Sequence, residues 1–272
     1  MEWLWSQWQH VEESIRRSRH ILLFLDYDGT LTPIAPSPKQ ATLPASTRSL
    51  LRTLSCHSRM TVALISGRAL DELRRLVGLR KPIYVGNHGL EVWRRGRRTS
   101  VVVSGRFRKA VAGIRPRLAS LAADSPGAIL EDKRLSLSLH YRMVPQDQVA
   151  HLKAAFRREV LPLVRAAELT VLHGKKVIEV RPGVNWTKGH AALWLVTRMR
   201  RRSLLPIYIG DDRTDEDAFA ALKRGITIRV GADRRSKARF YVRDIQEALA
   251  FLQWVTALCA RGPLPEDRLA SG

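Results

Sequence analysis

Short apolar runs, each closed by a polar or glycine-containing turn, recur along this chain and limit what it can fold into. They lie at Ile21 to Leu25, Thr61 to Ile65, Ile83 to Val85, Pro206 to Ile209 and Ile226 to Val230. Runs this short, bounded by turn residues, suit strands buried on both faces. Between several of them apolar residues fall at helical spacing. Leu70, Leu73, Leu76 and Val77 follow Ser66-Gly67-Arg68, and a second such pattern begins near Gly189 and continues through Leu193 and Val196. At the start, Leu4, Trp8, Val11 and Ile15 share one face of a 3.6-residue period and predict an amphipathic helix packed on the domain. Strands alternating with helices predict an α/β core, a doubly wound and mostly parallel sheet covered on both faces.

The middle breaks this rhythm. From about Phe107 to Arg181 the order reads helix, two strands, helix, two strands. Leu135, Leu137, Leu139 and Tyr141 alternate with Ser136, Ser138 and His140, the period of a half-buried antiparallel strand. Val171 to His173, Gly174 and Val177 to Val180 suggest a hairpin. An α+β domain is therefore expected to interrupt the α/β core. Its bounds are placed at 106–181, leaving 1–105 and 182–272 as the core. The tail after Arg261, with Pro263 and Pro265, is expected to be loose.

Composition excludes some classes of protein. No apolar run approaches the roughly 20 residues that span a bilayer, and the start lacks a basic, cleavable leader. Cys56 and Cys259 are far apart and show no metal-ligand spacing, so reduced thiols in a cytoplasmic, membrane-free monomer are expected. The formal net charge of +22 would suit nucleic acid or a strongly anionic substrate. The basic residues, however, are spread over Arg94 to Arg98, Arg157-Arg158, Arg198 to Arg202 and Arg234-Arg235, with no aromatic-interleaved strip among them. A solvated, arginine-rich surface with no specific nucleic-acid partner is the expectation.

Chemistry gathers just past the carboxyl ends of strands in sheets of this kind. Asp26-Tyr27-Asp28-Gly29-Thr30 follows the first buried run directly. Turns favour Asp and Gly, yet a turn alone does not explain two acids immediately after an apolar strand. Such a cluster suits a hard cation such as magnesium, and a carboxylate also attacks phosphorus. Ser66-Gly67-Arg68 offers a hydroxyl and helix N–H groups to a phosphoryl oxygen, although Ser-Gly is also an ordinary turn. After Pro206 to Ile209, Asp211, Asp212, Asp215, Glu216 and Asp217 place five acids in seven residues of a very basic chain, again a cation site. Lys188 supplies a point positive charge for phosphate.

These motifs, in this order, resemble those of haloacid dehalogenase phosphatases. Asp26 through Ile34, Ile65 through Arg68, Asn87-His88-Gly89 and Gly210 through Phe219 are similar to trehalose-6-phosphate phosphatases. So are Glu131-Asp132-Lys133, His140-Tyr141-Arg142 and Lys176 through Pro182 in the insertion, and the similarity runs from about Leu22 to Leu252. Asn185-Trp186-Thr187-Lys188 departs from the family's Trp-Asp-Lys spelling but leaves the lysine in place. The resemblance implies hydrolysis of trehalose 6-phosphate, with sucrose phosphate or a mannosyl phosphoglycerate as the alternative substrate. It implies Asp26 as nucleophile and Asp28 as acid and base, with Ser66 and Lys188 on the phosphoryl oxygens. Mg2+ would be held by Asp26, the Asp28 carbonyl and Asp211, with Asp212 or Asp215 supporting its waters. Gly67, Arg68, Asn87 and His88 would line the substrate at the core rim. Glu131, Lys133, Arg142, Lys176 and Glu179 would read the sugar from a cap.

Overall fold

The computed structural model describes residues 1–34, 41–100, 105–174, 176–199, 201 and 203–261. The tail after Arg261, with Arg200 and Arg202 of the run Arg198 to Arg202, lies outside the described residues. The chain forms two compact units, 1–99 with 186–272, and 100–185. The second unit is a few residues wider at each end than the expected 106–181.

Strand β1 (Glu2–Trp3) leads through one helical turn into α1 (Trp8–Arg17), β2 (His20–Leu25), α2 (Ala45–Cys56), β3 (Met60–Ile65) and α3 (Leu70–Val77). β4 (Ile83–Gly86), β5 (Glu91–Arg94) and β6 (Arg97–Ser100) follow. The second unit contributes α4 (Gly105–Ala123), β7 (Ile129–Asp132), β8 (Leu137–His140), α5 (Val149–Ala155), α6 (Leu161–Ala166), β9 (Leu169–Gly174) and β10 (Val177–Pro182). The first unit resumes with α7 (Lys188–Met199), β11 (Leu204–Gly210), α8 (Glu216–Ala221), β12 (Ile226–Val230), β13 (Phe240–Val242) and α9 (Ile245–Ala260).

One sheet organises the first unit, in the order β1-β13-β12-β11-β2-β3-β4-β5-β6. It is parallel from β1 to β4 and turns antiparallel at β5. All six residues of β2 are buried, as a strand covered on both faces requires. Because successive side chains point to opposite faces, Ile21, Leu23 and Leu25 pack with Val11, Ile15, Leu51, Leu73 and Phe251 on one side. On the other, Phe24 stacks on Tyr208 at 5.8 Å, and Phe219 meets Tyr208 edge-on at 5.6 Å.

The first helical pattern needs correction. Leu4, Val11 and Ile15 are buried, but Trp8 is 45% exposed. The break into a 3-10 turn before Trp8 rotates it off the apolar stripe, and Trp5 docks instead on Phe251 and Trp254. In α7 the buried residues are Lys188, Gly189, Ala191, Ala192 and Leu195, while Leu193 is 40% exposed. The closely packed side of that helix is made of small residues, which a search for large apolar ones passes over.

In the second unit a four-stranded antiparallel sheet, β7-β8-β10-β9, carries helices on one face. Leu137, Leu139, Ile178 and Val180 join Ile114, Leu118, Leu152, Phe156 and Val164 in its core. The opposite face is polar. Glu131 and Ser138 are register partners, as are Ser138 and Glu179. Ser136 and Ser138 are nonetheless buried, Ser138 between the longer side chains of Glu131 and Glu179, whereas the alternation suggested an exposed face.

Candidate active site

β2, β3 and β11 are adjacent and parallel at the centre of the first unit's sheet, so their carboxyl ends bring residues distant in sequence to one edge. Asp26 begins the turn after β2, and its N–H donates to the Ile209 carbonyl of β11 at 2.9 Å. The turn closes on Gly29, at φ +85°, in the left-handed region that glycine adopts without cost. A side chain there would also overlap the Asp211 carboxylate.

Lys188, the first residue of α7, is buried and donates to Asp26 Oδ1 and to Asp215 Oδ1, both at 2.8 Å. Its ammonium lies 4.0 Å from Asp212. Asp215 also accepts from the Tyr208 hydroxyl at 2.7 Å and from the Asp212 N–H at 3.1 Å. Carboxylate oxygens of Asp26, Asp211 and Asp215 lie within 4.8 Å of one another. Burial pushes the Asp26 carboxyl well above the usual carboxylate range, Lys188 opposes that shift, and the neighbouring acids reinforce it. Lys188 stays charged: burial works against its ammonium, and the surrounding carboxylates outweigh it. Three converging acids around one lysine are short of positive charge, and their oxygens form the hard donor set that suits a metal ion.

Asp212 has a different place from Asp215. Its side chain is 47% exposed, and its Oδ1 accepts from the Thr214 N–H and hydroxyl at 2.7 Å and from the Asp215 N–H at 3.2 Å. Burial resists its ionisation, but Lys188 and these donors hold it below the ordinary carboxylate range. It braces the turn that carries Asp215.

The Ser66 hydroxyl is buried at the end of β3 and accepts from the Arg68 N–H at 3.1 Å. Arg68 holds Asp28, whose side chain is thereby separated from the three-acid cluster. Asn87 and His88 take consecutive left-handed conformations, φ +52° and +54°. Their N–H groups donate to the carbonyls of Arg68 at 2.8 Å and Ser66 at 3.1 Å, which ties the two turns together. Paired strain of this kind is kept where surroundings over-determine it. The Asn87 amide donates to Glu91 at 2.7 Å, and the His88 ring lies against Gly67.

In the second unit, Lys133 lies 3.9 Å from Glu131 and 3.7 Å from Glu179. Ser136 donates to Glu179 at 2.6 Å, and the His140 ring is 2.8 Å from Glu131. Lys133 and Glu179 are buried, not solvated as charged strand residues usually are. Arg142 is exposed. Lys176, in the β9–β10 turn, donates to Gln146 at 3.2 Å. Sequence reading passed over Tyr208, Glu72, Glu91 and Ser136 as parts of these networks. A hydroxyl within the apolar run before Gly210 was the available signal for Tyr208.

A solved structure described as a trehalose-6-phosphate phosphatase related protein superposes with a TM-score of 0.78 at 29% identity, covering 88% of this chain and 99% of the other. With the acid-lined strand ends above, that likeness defines a phosphoric monoester hydrolase of the haloacid dehalogenase type. The trehalose-phosphatase family model matches residues 24–246. A rice protein named probable trehalose-phosphate phosphatase 2 is 32% identical over 268 residues, 88% of this chain and 69% of that protein. The chain belongs to the trehalose-phosphatase family. It is also 39% identical over 233 residues to a Mycobacterium tuberculosis protein named an uncharacterized glycosyl hydrolase, covering 82% of this chain but 17% of that one.

Proposed function

We propose that the protein hydrolyses trehalose 6-phosphate to trehalose and inorganic phosphate through an aspartyl-phosphate on Asp26. The observation that carries this reading is the Asp26 carboxylate held at 2.8 Å by buried Lys188, beside Asp211 and Asp215. Family membership and the rice relative's name support the substrate.

An Asp26 oxygen attacks phosphorus as the bond from phosphorus to the sugar oxygen breaks, and Asp28 gives that oxygen its proton. A water then attacks phosphorus, loses its proton to Asp28, and releases phosphate from Asp26. Ser66 and Lys188 stabilise the phosphoryl oxygens, and Lys188 keeps the nucleophile aimed. Asp26 and Asp211, with Asp215 beside them, would hold Mg2+, which supplies charge neutralisation on the transferring group. The left-handed Gly29, which leaves room for the Asp211 carboxylate, supports that fit.

Sugar reading is assigned to the polar face of the second unit, with Glu131, Lys133 and Glu179 at its centre and Arg142 and Lys176 at its margin. Gly67, Arg68, Asn87 and His88 are assigned to the phosphate side. No helix among the described residues is long and apolar enough to cross a membrane. A cytoplasmic location forms part of this reading, supported by free Cys56 and Cys259.

The test is phosphate release from a panel of sugar phosphates, with Mg2+ and with chelator. Strong preference for trehalose 6-phosphate that disappears with chelator is expected. Preference for sucrose phosphate or a mannosyl phosphoglycerate would replace the substrate and keep the chemistry. Full turnover by Asp26→Asn would remove the nucleophile assignment.

A further inference from the structure

Two basic runs that are far apart in sequence meet on one surface of the first unit. β5 and β6 are joined by Arg95-Gly96, both at positive φ (+51° and +80°), the pairing of a two-residue hairpin turn. Such a turn sets Arg94 directly across from Arg97, with Arg95 at the tip. The Arg94 guanidinium reaches Met199 Sδ, at 3.9 Å, on the last turn of α7. Beside it, Arg198 lies over the Trp194 ring at 4.4 Å. Burial and then the like charges of Arg95 and Arg198 draw Arg94 below the ordinary guanidinium range.

Nearby acids do not answer this charge. Asp71 and Glu91 are both engaged by Arg98. Among the described residues, no carboxylate is paired with Arg94, Arg95, Arg97 or Arg198. Like charges directly opposite in a hairpin are destabilising, so the fold carries a cost that a polyanion would relieve. Lys188 opens α7, and ten residues separate it from Arg198, about 15 Å along the helix axis. The patch is therefore distinct from the catalytic cluster.

We propose that the β5–β6 hairpin and the C-terminal end of α7 form a second, non-catalytic surface that holds the phosphodiester backbone of nucleic acid without sequence preference. Planar guanidinium forks match phosphate oxygens two at a time, and the long-range field of a +22 chain speeds the encounter. A lipid-docking face would combine basic residues with exposed apolar anchors. Here Met1, Trp3 and Trp8 are exposed around β1, the opposite edge strand of the sheet from β6. Leu193, exposed on α7, is about 140° around the helix from Arg198.

The experiment measures binding of a mixed-sequence DNA duplex of about 20 base pairs across salt concentrations centred near 0.15 M. The variant combines Arg95→Asn, which suits the left-handed turn position, with Arg97→Gln and Arg198→Gln. Wild type should bind near 0.15 M salt, and the variant should lose about tenfold to a hundredfold in affinity. The slope of log affinity against log salt should fall by about 3 in magnitude, while phosphatase activity is unchanged. Arg198→Gln alone, at an exposed helix end, should lower the slope by about 1 and guards against a folding defect in the triple variant. No wild-type binding near 0.15 M salt would overturn the proposal. Equal loss from Arg224→Gln, Arg234→Gln and Arg235→Gln together would also overturn it, by assigning the binding to net charge. Tighter binding to phosphatidylserine vesicles than to DNA would transfer the surface to a membrane.

Discussion

Arg68 grips the Asp28 carboxylate at both oxygens, Nε to Oδ2 and Nη2 to Oδ1, each at 2.7 Å. Glu72, one helical turn further on, accepts from the same guanidinium at 2.8 Å and fixes it from the other side. Both oxygens of the group assigned to proton transfer are thus occupied by a braced fork, so Asp28 has to release at least one arm of Arg68 to carry a proton to the leaving oxygen. Asp28→Asn should slow sugar-phosphate turnover by about 10² to 10⁴-fold. With p-nitrophenyl phosphate, whose leaving group needs no proton, it should release a burst of one nitrophenol per enzyme and then stall. Arg68→Ala should lower kcat more than it raises KM. Unchanged kcat for both variants would leave Asp28 without its role.

Lys188 neutralises the buried carboxylates of Asp26 and Asp215, in addition to the phosphoryl role proposed for it. Removing one partner of such a group leaves uncompensated charge, at about 3–5 kcal/mol. Lys188→Met should therefore lose activity and unfold at lower urea than wild type, and Mg2+ should restore more stability to the variant than to the parent. Equal stabilisation of both proteins by the cation would argue against this balance.

Gly29→Ala tests the cradle around Asp211. A left-handed φ costs a non-glycine residue about 1–2 kcal/mol, and the added methyl must displace the carboxylate. Weaker Mg2+ activation is expected, with KM for the sugar phosphate nearly constant at saturating cation. A metal titration that matches wild type would place the cation elsewhere.

Glu131 and Glu179 flank Ser138 on the polar sheet face. If that face reads the sugar, Glu131→Gln and Glu179→Gln should raise KM for trehalose 6-phosphate about tenfold or more while sparing p-nitrophenyl phosphate hydrolysis. Parallel losses on both substrates would make these residues structural.

His20, buried at the start of β2, bonds the Thr61 hydroxyl at 2.9 Å. Burial, then the charges of Arg201 and Arg59, push its imidazole from 6.5 down to about 4. The unfolded chain therefore takes up a proton below pH 6.5 that the folded chain refuses until about pH 4. Stability should fall as pH drops through that window, by about 3 kcal/mol in all, with no contribution from His20 above it. Urea midpoints for His20→Gln should show a shallower decline over the same range, and identical pH profiles would contradict the assignment.

The buried strands were legible because β2, β3 and β11 are apolar on both faces, and the acids that follow them stood out against so basic a chain. Period reading failed where packing used something other than large apolar side chains. Ala191 and Ala192 turn α7 inward, and a 3-10 turn swings Trp8 outward. Asp212 and Asp215 look equivalent in sequence. One nearly complete helical turn separates them, which buries Asp215 against Lys188 and leaves Asp212 capping the turn. The meeting of Arg94 with Arg198 was invisible for another reason, since the register of an edge hairpin against a helix end is a tertiary fact.

The pairing of β2 with β11 also sets a timetable for synthesis. Leu25 lies beside Ile209, roughly 180 residues later, so a ribosome needs about 10 to 40 seconds to make the second after the first. Until β11 is made, β2 is an apolar strand without one of its neighbours, whereas residues 100–185 possess all the sequence their own core requires as soon as residue 185 is added. That unit is then complete in sequence before the acid-bearing end of β11 exists, and a nascent chain stalled short of β11 would present a finished insertion on an unfinished core.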